Sequence, residues 1–296
     1  MFLLERVVEQ TRLNTRAATL AGFAAILMWS ALAVLIVATG AVPPFQLTAM
    51  TFAIGALAGA IVLAWRRDWA FVTNMTASAW LHGVGGLFFY HALYFFALRF
   101  APPAQAGLVN YLWPLLIVLL SGFLPDERLR FRHLIGALLG FAGTFILFAG
   151  RENFALAAQA WPGYAAAFAA AFIWAGYSVL SRVMMAAPSS AVVPFSAITA
   201  LLAAICHLAL ETTVWPESFG AWLALLALGL GPVGIAFHLW QIGMKHGNMR
   251  LLGVMAYAAP LLSTGLLIVF DLAASSMMLI VSAILIVGGG LIAARG

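Results

Sequence analysis

Two stretches of this chain, GLVNYLWPLL at Gly107–Leu116 and GVMAYAAPLL at Gly253–Leu262, share Gly, Tyr, Pro and Leu-Leu in the same order, 146 residues apart. The match extends towards the N-terminus, where a shift of 145 residues aligns Trp29 with Trp174. Chance supplies Ala and Leu matches in an apolar chain, but paired Trp, Tyr and Pro in one order are harder to obtain. The sequence therefore predicts two copies of one structural unit.

Each copy is too apolar for a water-soluble domain. Hydrophobic residues make up 65% of the chain and charged residues 8%, whereas ordinary globular domains carry about 25% charged residues. A helix of about 20 apolar residues crosses a bilayer. Ten such stretches follow one another, near 17–39, 45–65, 76–98, 103–124, 132–150, 160–183, 190–211, 219–244, 249–270 and 276–294. They are apolar on all sides, which excludes the alternating strands of a membrane β-barrel. The predicted fold class is an all-α integral membrane protein with ten transmembrane helices.

The odd number of spans in each copy has a topological consequence. A five-helix unit starts and ends on opposite sides of the membrane, so the second copy enters it upside down. Inverted repeats around a site at the midplane are typical of secondary transporters. We therefore expect a cytoplasmic or interfacial segment over 1–16, a first repeat over 17–150 and an inverted second repeat over 160–296.

The distribution of Lys and Arg predicts the orientation, because cytoplasmic loops are enriched in both. With both termini in the cytoplasm, twelve of these residues fall inside and two outside. The inside residues are Arg6, Arg12, Arg16, Arg66, Arg67, Arg128, Arg130, Arg132, Arg182, Lys245, Arg250 and Arg295, and the outside residues are Arg99 and Arg151. The formal charge of +5 is thus a topology signal. We expect no nucleic-acid partner, since no long basic cluster alternates with aromatic residues.

Acidic residues are absent from the interior of the predicted spans, although the chain contains nine of them; Glu211 is the last residue of the seventh span. This excludes proton relays that depend on an intramembrane carboxylate. The single cysteine, Cys206, excludes an intramolecular disulfide and any multi-cysteine metal site. We expect no metal and no cofactor. We also expect no buried Lys or Arg that could hold a phosphate or sugar nucleotide.

Two prolines are predicted to kink matching helices. Pro114 cannot donate to the carbonyl of Asn110, and Pro260 cannot donate to that of Ala256, next to Tyr257. Free carbonyls are not tolerated against lipid, so both kinks should face protein or a watery cavity. The alternative is that both prolines serve packing alone.

Aromatic and polar side chains at mid-span depth are the candidate site residues. Many recur three or four positions apart and so share a helix face. The candidate substrate-binding residues are Trp29, Tyr90, Tyr94, Asn110, Trp113, Trp174, Tyr177, His238, Gln241 and Tyr257. His91 and His238 fall near equivalent points of the two repeats and are candidate proton carriers, because histidine titrates near neutrality.

The strings NYLWP at 110–114 and AFIWA at 171–175, with Trp240, Gly243 and His246-Gly247-Asn248, carry a resemblance over nearly the whole chain. The chain resembles the drug/metabolite transporter superfamily in its ten-helix, EamA-type form, and within it the YddG-like aromatic amino acid exporters. The resemblance implies a bacterial inner membrane protein with a central cavity lined by spans one, three, four, six, eight and nine. Tyr90, Trp113 and Trp174 match its aromatic positions, whereas His91 and His238 are not fixed features of the family pattern.

The expected function is export of aromatic amino acids and related amphipathic solutes by alternating access, with solute moving down its own gradient. A cavity of Trp and Tyr stacks planar rings, and freed carbonyls and ring faces receive an ammonium group. The alternative transport function is export of organic cations or drugs, coupled to protons through a histidine. An intramembrane enzyme is disfavoured, since paired Asp clusters and His-Glu metal motifs are absent. The expected partners are the small solute and the lipid bilayer. The protein is taken to be monomeric.

Overall fold

The computed structural model describes residues 14–125, 129–149, 158–184, 187–272 and 276–295. These residues contain ten helices that are long and apolar enough to cross a membrane. The helices are α1 Thr15–Ala38, α2 Pro44–Arg66, α3 Ala77–Phe100, α4 Pro103–Ser121, α5 Phe131–Ala149, α6 Trp161–Val183, α7 Ser189–Leu210, α8 Phe219–His246, α9 Met249–Val269 and α10 Met277–Ala294. They match the ten spans predicted from the sequence, with ends that differ by a few residues. Most of the predicted segment 1–16 lies outside the described residues.

Four of the ten helices are interrupted near their middle. The first α-helical piece of α1 ends at Ser30, and the next begins at Leu32. In α4 the interruption covers Tyr111 and Leu112, and in α9 it covers Ala256 and Tyr257. Helix α8 is interrupted by a π-helical segment, Gly229–Ile235, which contains Pro232. The interruptions in α4 and α9 each lie shortly before the proline that the sequence analysis identified.

The set of closely packed helix pairs stays the same when the first five helices are exchanged with the last five. The most extensive contacts join α5 to α10, α2 to α7, α3 to α6 and α1 to α8. Swapping the first five helices for the last five converts the α3–α6 pair into the α8–α1 pair and leaves the other two pairs unchanged. The packing is therefore that of two related halves, and every helix except α5 and α10 contributes residues to the largest buried cluster.

A carboxylate from the second half caps a helix of the first half. The first residues of α2 have no side-chain cap of their own, because Pro43 precedes them. Glu211 supplies the acceptors, at 2.9 Å from the amide nitrogen of Phe45 and 3.1 Å from that of Gln46. His207 holds the same carboxylate at 2.9 Å. A negative group at a helix N-terminus is stabilising, so this contact fastens α2 to α7.

Candidate substrate-binding site

Four tryptophans from four helices form one cluster at the centre of the protein. Trp29 lies with its ring centroid 6.5 Å from that of Trp113, 5.7 Å from that of Trp174 and 5.0 Å from that of Trp240. Phe237 completes the group at 5.9 Å from Trp29. Most of these contacts are edge-to-face or tilted, the arrangements that aromatic rings prefer. The structure thus brings three of the predicted site residues, from α1, α4 and α6, into mutual contact.

A backbone carbonyl in the π-helical segment and a serine hydroxyl fix the orientation of two of these rings. The indole N–H of Trp29 donates to the carbonyl of Pro232, at 2.9 Å, in the π-helical segment of α8. The indole N–H of Trp240 donates to the Ser178 hydroxyl, at 3.0 Å. Buried indole N–H groups require such partners, because an unpaired donor costs about 1–3 kcal/mol. The ring faces remain available for stacking, while the polar edges are already satisfied.

Two tyrosines and an asparagine adjoin the cluster. Tyr90 packs against Trp174 at 5.1 Å and is parallel to Tyr94 at 6.2 Å. The side-chain amide of Asn110 donates to the Tyr90 hydroxyl at 3.2 Å. Asn110 is 3% exposed, and its Oδ1 has no hydrogen-bond partner among the described residues. A buried acceptor without a donor is costly, so this oxygen is the strongest single indication of a ligand in the site.

Tyr177 lines the side of the cluster towards the C-terminal end of α6. Its ring lies 5.3 Å from that of Trp174 and stacks on His82 at 5.0 Å. The close approach requires Gly86, where a Cβ atom would lie only 2.4 Å from the tyrosine ring. Below Tyr177 is a small cavity with room for about one water molecule, which Gln241 also lines. Tyr177 and Gln241 are therefore near the site at the end that faces the cytoplasm in the predicted topology.

The two candidate proton carriers occupy different surroundings. His91 packs among rings, 5.1 Å from Phe52 and 5.0 Å from Tyr90, and its Nδ1 lies 2.7 Å from the carbonyl of Leu87. His238 makes its contact at the start of α7, where its Nδ1 lies 3.2 Å from the carbonyl of Ser189. His91 thus belongs to the aromatic site, whereas His238 contacts backbone beside it.

Tyr257 lies apart from the tryptophan cluster. It is fully buried in a second cluster with Val118 and Ile286, and its hydroxyl accepts a hydrogen bond from the Leu115 amide at 3.1 Å. That amide follows Pro114, at the interruption of α4. The hydroxyl of one half therefore satisfies a backbone donor at the kink of the other. This geometry gives Tyr257 a role in packing α9 against α4.

Three residues in or near the aromatic cluster were missing from the candidate residues. Trp240 and Phe237 both contact Trp29, and their three-residue spacing in α8 was a signal that could have placed them in the site. The expectation of no buried Lys or Arg was wrong. Lys245 is 7% exposed at the cytoplasmic end of α8 in the predicted topology, because tertiary contacts enclose a residue that the sequence placed at a helix terminus.

Comparison with known proteins agrees with this architecture. The model of the EamA-like transporter family matches the chain twice, over residues 16–149 and 161–295. The chain belongs to the EamA-like transporter family. It is accordingly a multi-pass membrane transporter and not an enzyme. Among the described residues, no group of three His, Cys, Asp or Glu side chains could hold a metal ion.

The chain is also similar to individual named proteins and to a solved structure. The protein is 54% identical over 265 residues to the "Aromatic amino acid exporter YddG" of Ancylobacter novellus, covering 89% of this chain and 92% of that one. A protein of the same name from Salmonella typhimurium is 26% identical over 168 residues, or 55% and 57% of the two chains. One solved crystal structure is 53% identical with a TM-score of 0.91, covering 95% of this chain and 97% of that chain.

Proposed function

We propose that this transporter exports aromatic amino acids across the bacterial inner membrane, through the aromatic site at its centre. The observation that carries the proposal is the buried Oδ1 of Asn110, which has no donor among the described residues. Asn110 bonds to Tyr90, which packs against the cluster of four tryptophans. An aromatic amino acid matches both features, because its planar ring can stack on the tryptophans and its ammonium group can donate to the Asn110 oxygen. The name of the Ancylobacter novellus relative supports the same substrate class.

The site offers distinct partners to the two parts of such a substrate. Trp29, Trp113, Trp174 and Trp240 present ring faces, and each good aromatic pair adds about 0.5–1.5 kcal/mol beyond burial. The Asn110 oxygen accepts from the ammonium, which tryptophan faces also attract. Tyr90, Tyr94 and His91 extend the site on one side, and Tyr177 and Gln241 on the other.

Alternating access supplies the mechanism. The rings contact one another in this structure, so a substrate must separate them as the halves move. The interrupted helices α1, α4, α8 and α9 offer places where such bending is easiest. We place the hinges of α4 and α9 at Pro114 and Pro260. The two halves, inverted relative to each other, would rock about the central site.

The twelve-to-two distribution of Lys and Arg supports an orientation with both termini in the cytoplasm. In that orientation α6 and α8 both end at the cytoplasmic face, and Glu211 lies at the outer face. The protein is proposed to act as a facilitator, because Glu211 is at a helix end and the aromatic site itself contains no acidic residue among those described. Solute then moves down its own gradient.

Efflux of a panel of labelled amino acids from proteoliposomes tests the function. We expect tryptophan, phenylalanine or tyrosine to leave faster than leucine or lysine. Trp113→Ala should reduce aromatic efflux strongly, because Trp113 is 6% exposed within the cluster. Trp65→Ala is the matched control, since Trp65 is 84% exposed on the outside of α2. Equal rates for all amino acids, or equal effects of the two substitutions on a folded protein, would contradict the proposal.

A further inference from the structure

Two cations join the cytoplasmic ends of α6 and α8 by reciprocal contacts. The guanidinium of Arg182, in the last turn of α6, donates to the carbonyls of Met244, at 3.0 Å, and Gly247 at the end of α8. The ammonium of Lys245, in the last turn of α8, donates to the carbonyls of Met184, at 3.4 Å, and Ala187 after the end of α6. Each cation thus occupies the negative end of the other helix. We call this arrangement the cytoplasmic latch.

The latch has no counterpart at the opposite ends of the related helices. At the repeat shift of 145 residues Arg182 aligns with Val37, and at the shift of 146 Lys245 aligns with Arg99. Val37 is 57% exposed and Arg99 is also exposed, so neither is enclosed as Lys245 is. Packing of two related halves does not by itself require the latch. A function specific to the cytoplasmic end is therefore indicated.

The two latch cations differ in what surrounds them. Lys245 lines the small cavity below Tyr177, together with His82, Ser181 and Gln241, whereas Arg182 does not. Where the structure is described, Lys245 is bonded to carbonyls and to no carboxylate. Tyr177 lines the same cavity, and its buried hydroxyl lies beside the side chain of Gln241. A buried ammonium, a tyrosine and a side-chain amide thus line one space between the aromatic site and the cytoplasm.

We propose that this cavity is the carboxylate subsite of the cytoplasmic entrance, with Lys245 as its cation and Tyr177 and Gln241 as neutral donors. The inference rests on the proposed export of amino acids. A substrate arriving from the cytoplasm would place its carboxylate on Lys245 in exchange for the carbonyls of Met184 and Ala187. The exchange releases one half of the latch, so binding of a carboxylate favours opening of the cytoplasmic side. The ring and ammonium of the substrate then pass to the tryptophan cluster and Asn110.

The chemistry of the subsite predicts discrimination between an acid and its amide. A carboxylate forms charge-assisted hydrogen bonds with an ammonium, which are about twice as strong as neutral ones. Tryptophanamide keeps the indole and the amine and lacks the carboxylate. Inverted membrane vesicles expose the cytoplasmic face, and inhibition of the initial uptake of labelled tryptophan is measured there for both compounds. Wild-type protein should be inhibited by tryptophan at a concentration about 10-fold or more below that needed for tryptophanamide.

Lys245→Gln should raise the inhibitory concentration of tryptophan to that of tryptophanamide, so that their ratio falls to about one. Arg182→Gln is the matched control, because it removes the other latch cation and leaves the cavity lining intact. It should change both inhibitory concentrations by the same factor and preserve their ratio. Lys245→Met, which keeps most of the length of the side chain without its charge, is the second variant if Lys245→Gln fails to reach the membrane.

Three outcomes would overturn the subsite. They are equal inhibition of the wild type by acid and amide, an unchanged ratio in both Lys245 variants, and the same loss of ratio in Arg182→Gln. The last would show that loosening the latch, and not contact with Lys245, controls discrimination. Failure of the proposed function is distinct from all three, because the wild-type vesicles would then take up no labelled tryptophan above vesicles without the protein.

Discussion

Replacing Asn110 by leucine tests how the ammonium group of the substrate is recognised. Leucine has the same number and branching of side-chain heavy atoms as asparagine, so the substitution removes the two polar atoms and keeps the outline of the side chain, with bulkier methyl groups in their place. One of these, Nδ2, donates to the Tyr90 hydroxyl at 3.2 Å, and the other, Oδ1, is buried and has no partner within the described part of the chain. The variant protein should therefore fold, because an unsatisfied acceptor is replaced by an apolar group.

The magnitude follows from the kind of hydrogen bond that would be lost. A bond between the Asn110 oxygen and an ammonium contributes about 1.5–3 kcal/mol, as hydrogen bonds to charged groups do. Since 1.36 kcal/mol corresponds to a tenfold change at equilibrium, the Kd for tryptophan should rise by a factor of about 10 to 150. Tyr90→Phe keeps the Asn110 oxygen as an acceptor and removes only the neutral hydrogen bond between the Asn110 amide and the Tyr90 hydroxyl. It should raise the Kd by less than about tenfold.

Equilibrium binding of labelled tryptophan to purified protein in nanodiscs measures these changes. Competition with indole-3-propionate, which has the ring and the carboxylate and lacks the amine, provides the comparison. Asn110→Leu should weaken tryptophan binding and leave the affinity for indole-3-propionate nearly unchanged. The reasoning would be refuted if both compounds lost affinity by the same factor, since the variant would then act through the shape of the site. An unchanged Kd for tryptophan would refute it as well.

Three further predictions concern the fold and its coupling. Tyr257→Phe should lower the free energy of unfolding by about 1–3 kcal/mol, because the Leu115 amide loses its acceptor, and should leave substrate preference unchanged. Denaturant titration measures the first effect, and a shift in preference would place Tyr257 in the binding site instead. Counterflow in proteoliposomes without a pH gradient should proceed at full rate; uphill uptake under a gradient, lost in His91→Gln or His238→Gln, would identify a histidine as the proton carrier. Cysteine labelling in a background without Cys206 should find residues 151–159 outside and residues 125–131 inside, and the opposite result would end the proposal of an inverted second half.

Much of the architecture follows from the sequence alone. Composition and length determine ten spans, because a bilayer admits only helices of about 20 apolar residues or closed barrels. The repeat at 107–116 and 253–262 predicts two related halves, and the family match over both halves agrees with it. Mid-span tryptophans were identifiable as candidates because interfacial anchoring does not explain their depth.

Which of these residues meet was decided by the tertiary structure. Trp113 and Tyr257 were both candidate site residues near the prolines of related helices, yet Trp113 joins the central cluster and Tyr257 packs at the α4 kink. The reason is that residue spacing defines which side chains share a face of one helix, but it does not determine which other helices pack against that face. The enclosure of Lys245 depends in the same way on carbonyls near the end of α6, about 60 positions earlier in the chain. Burial of a charge is set by such distant partners, and no local pattern of residues contains them.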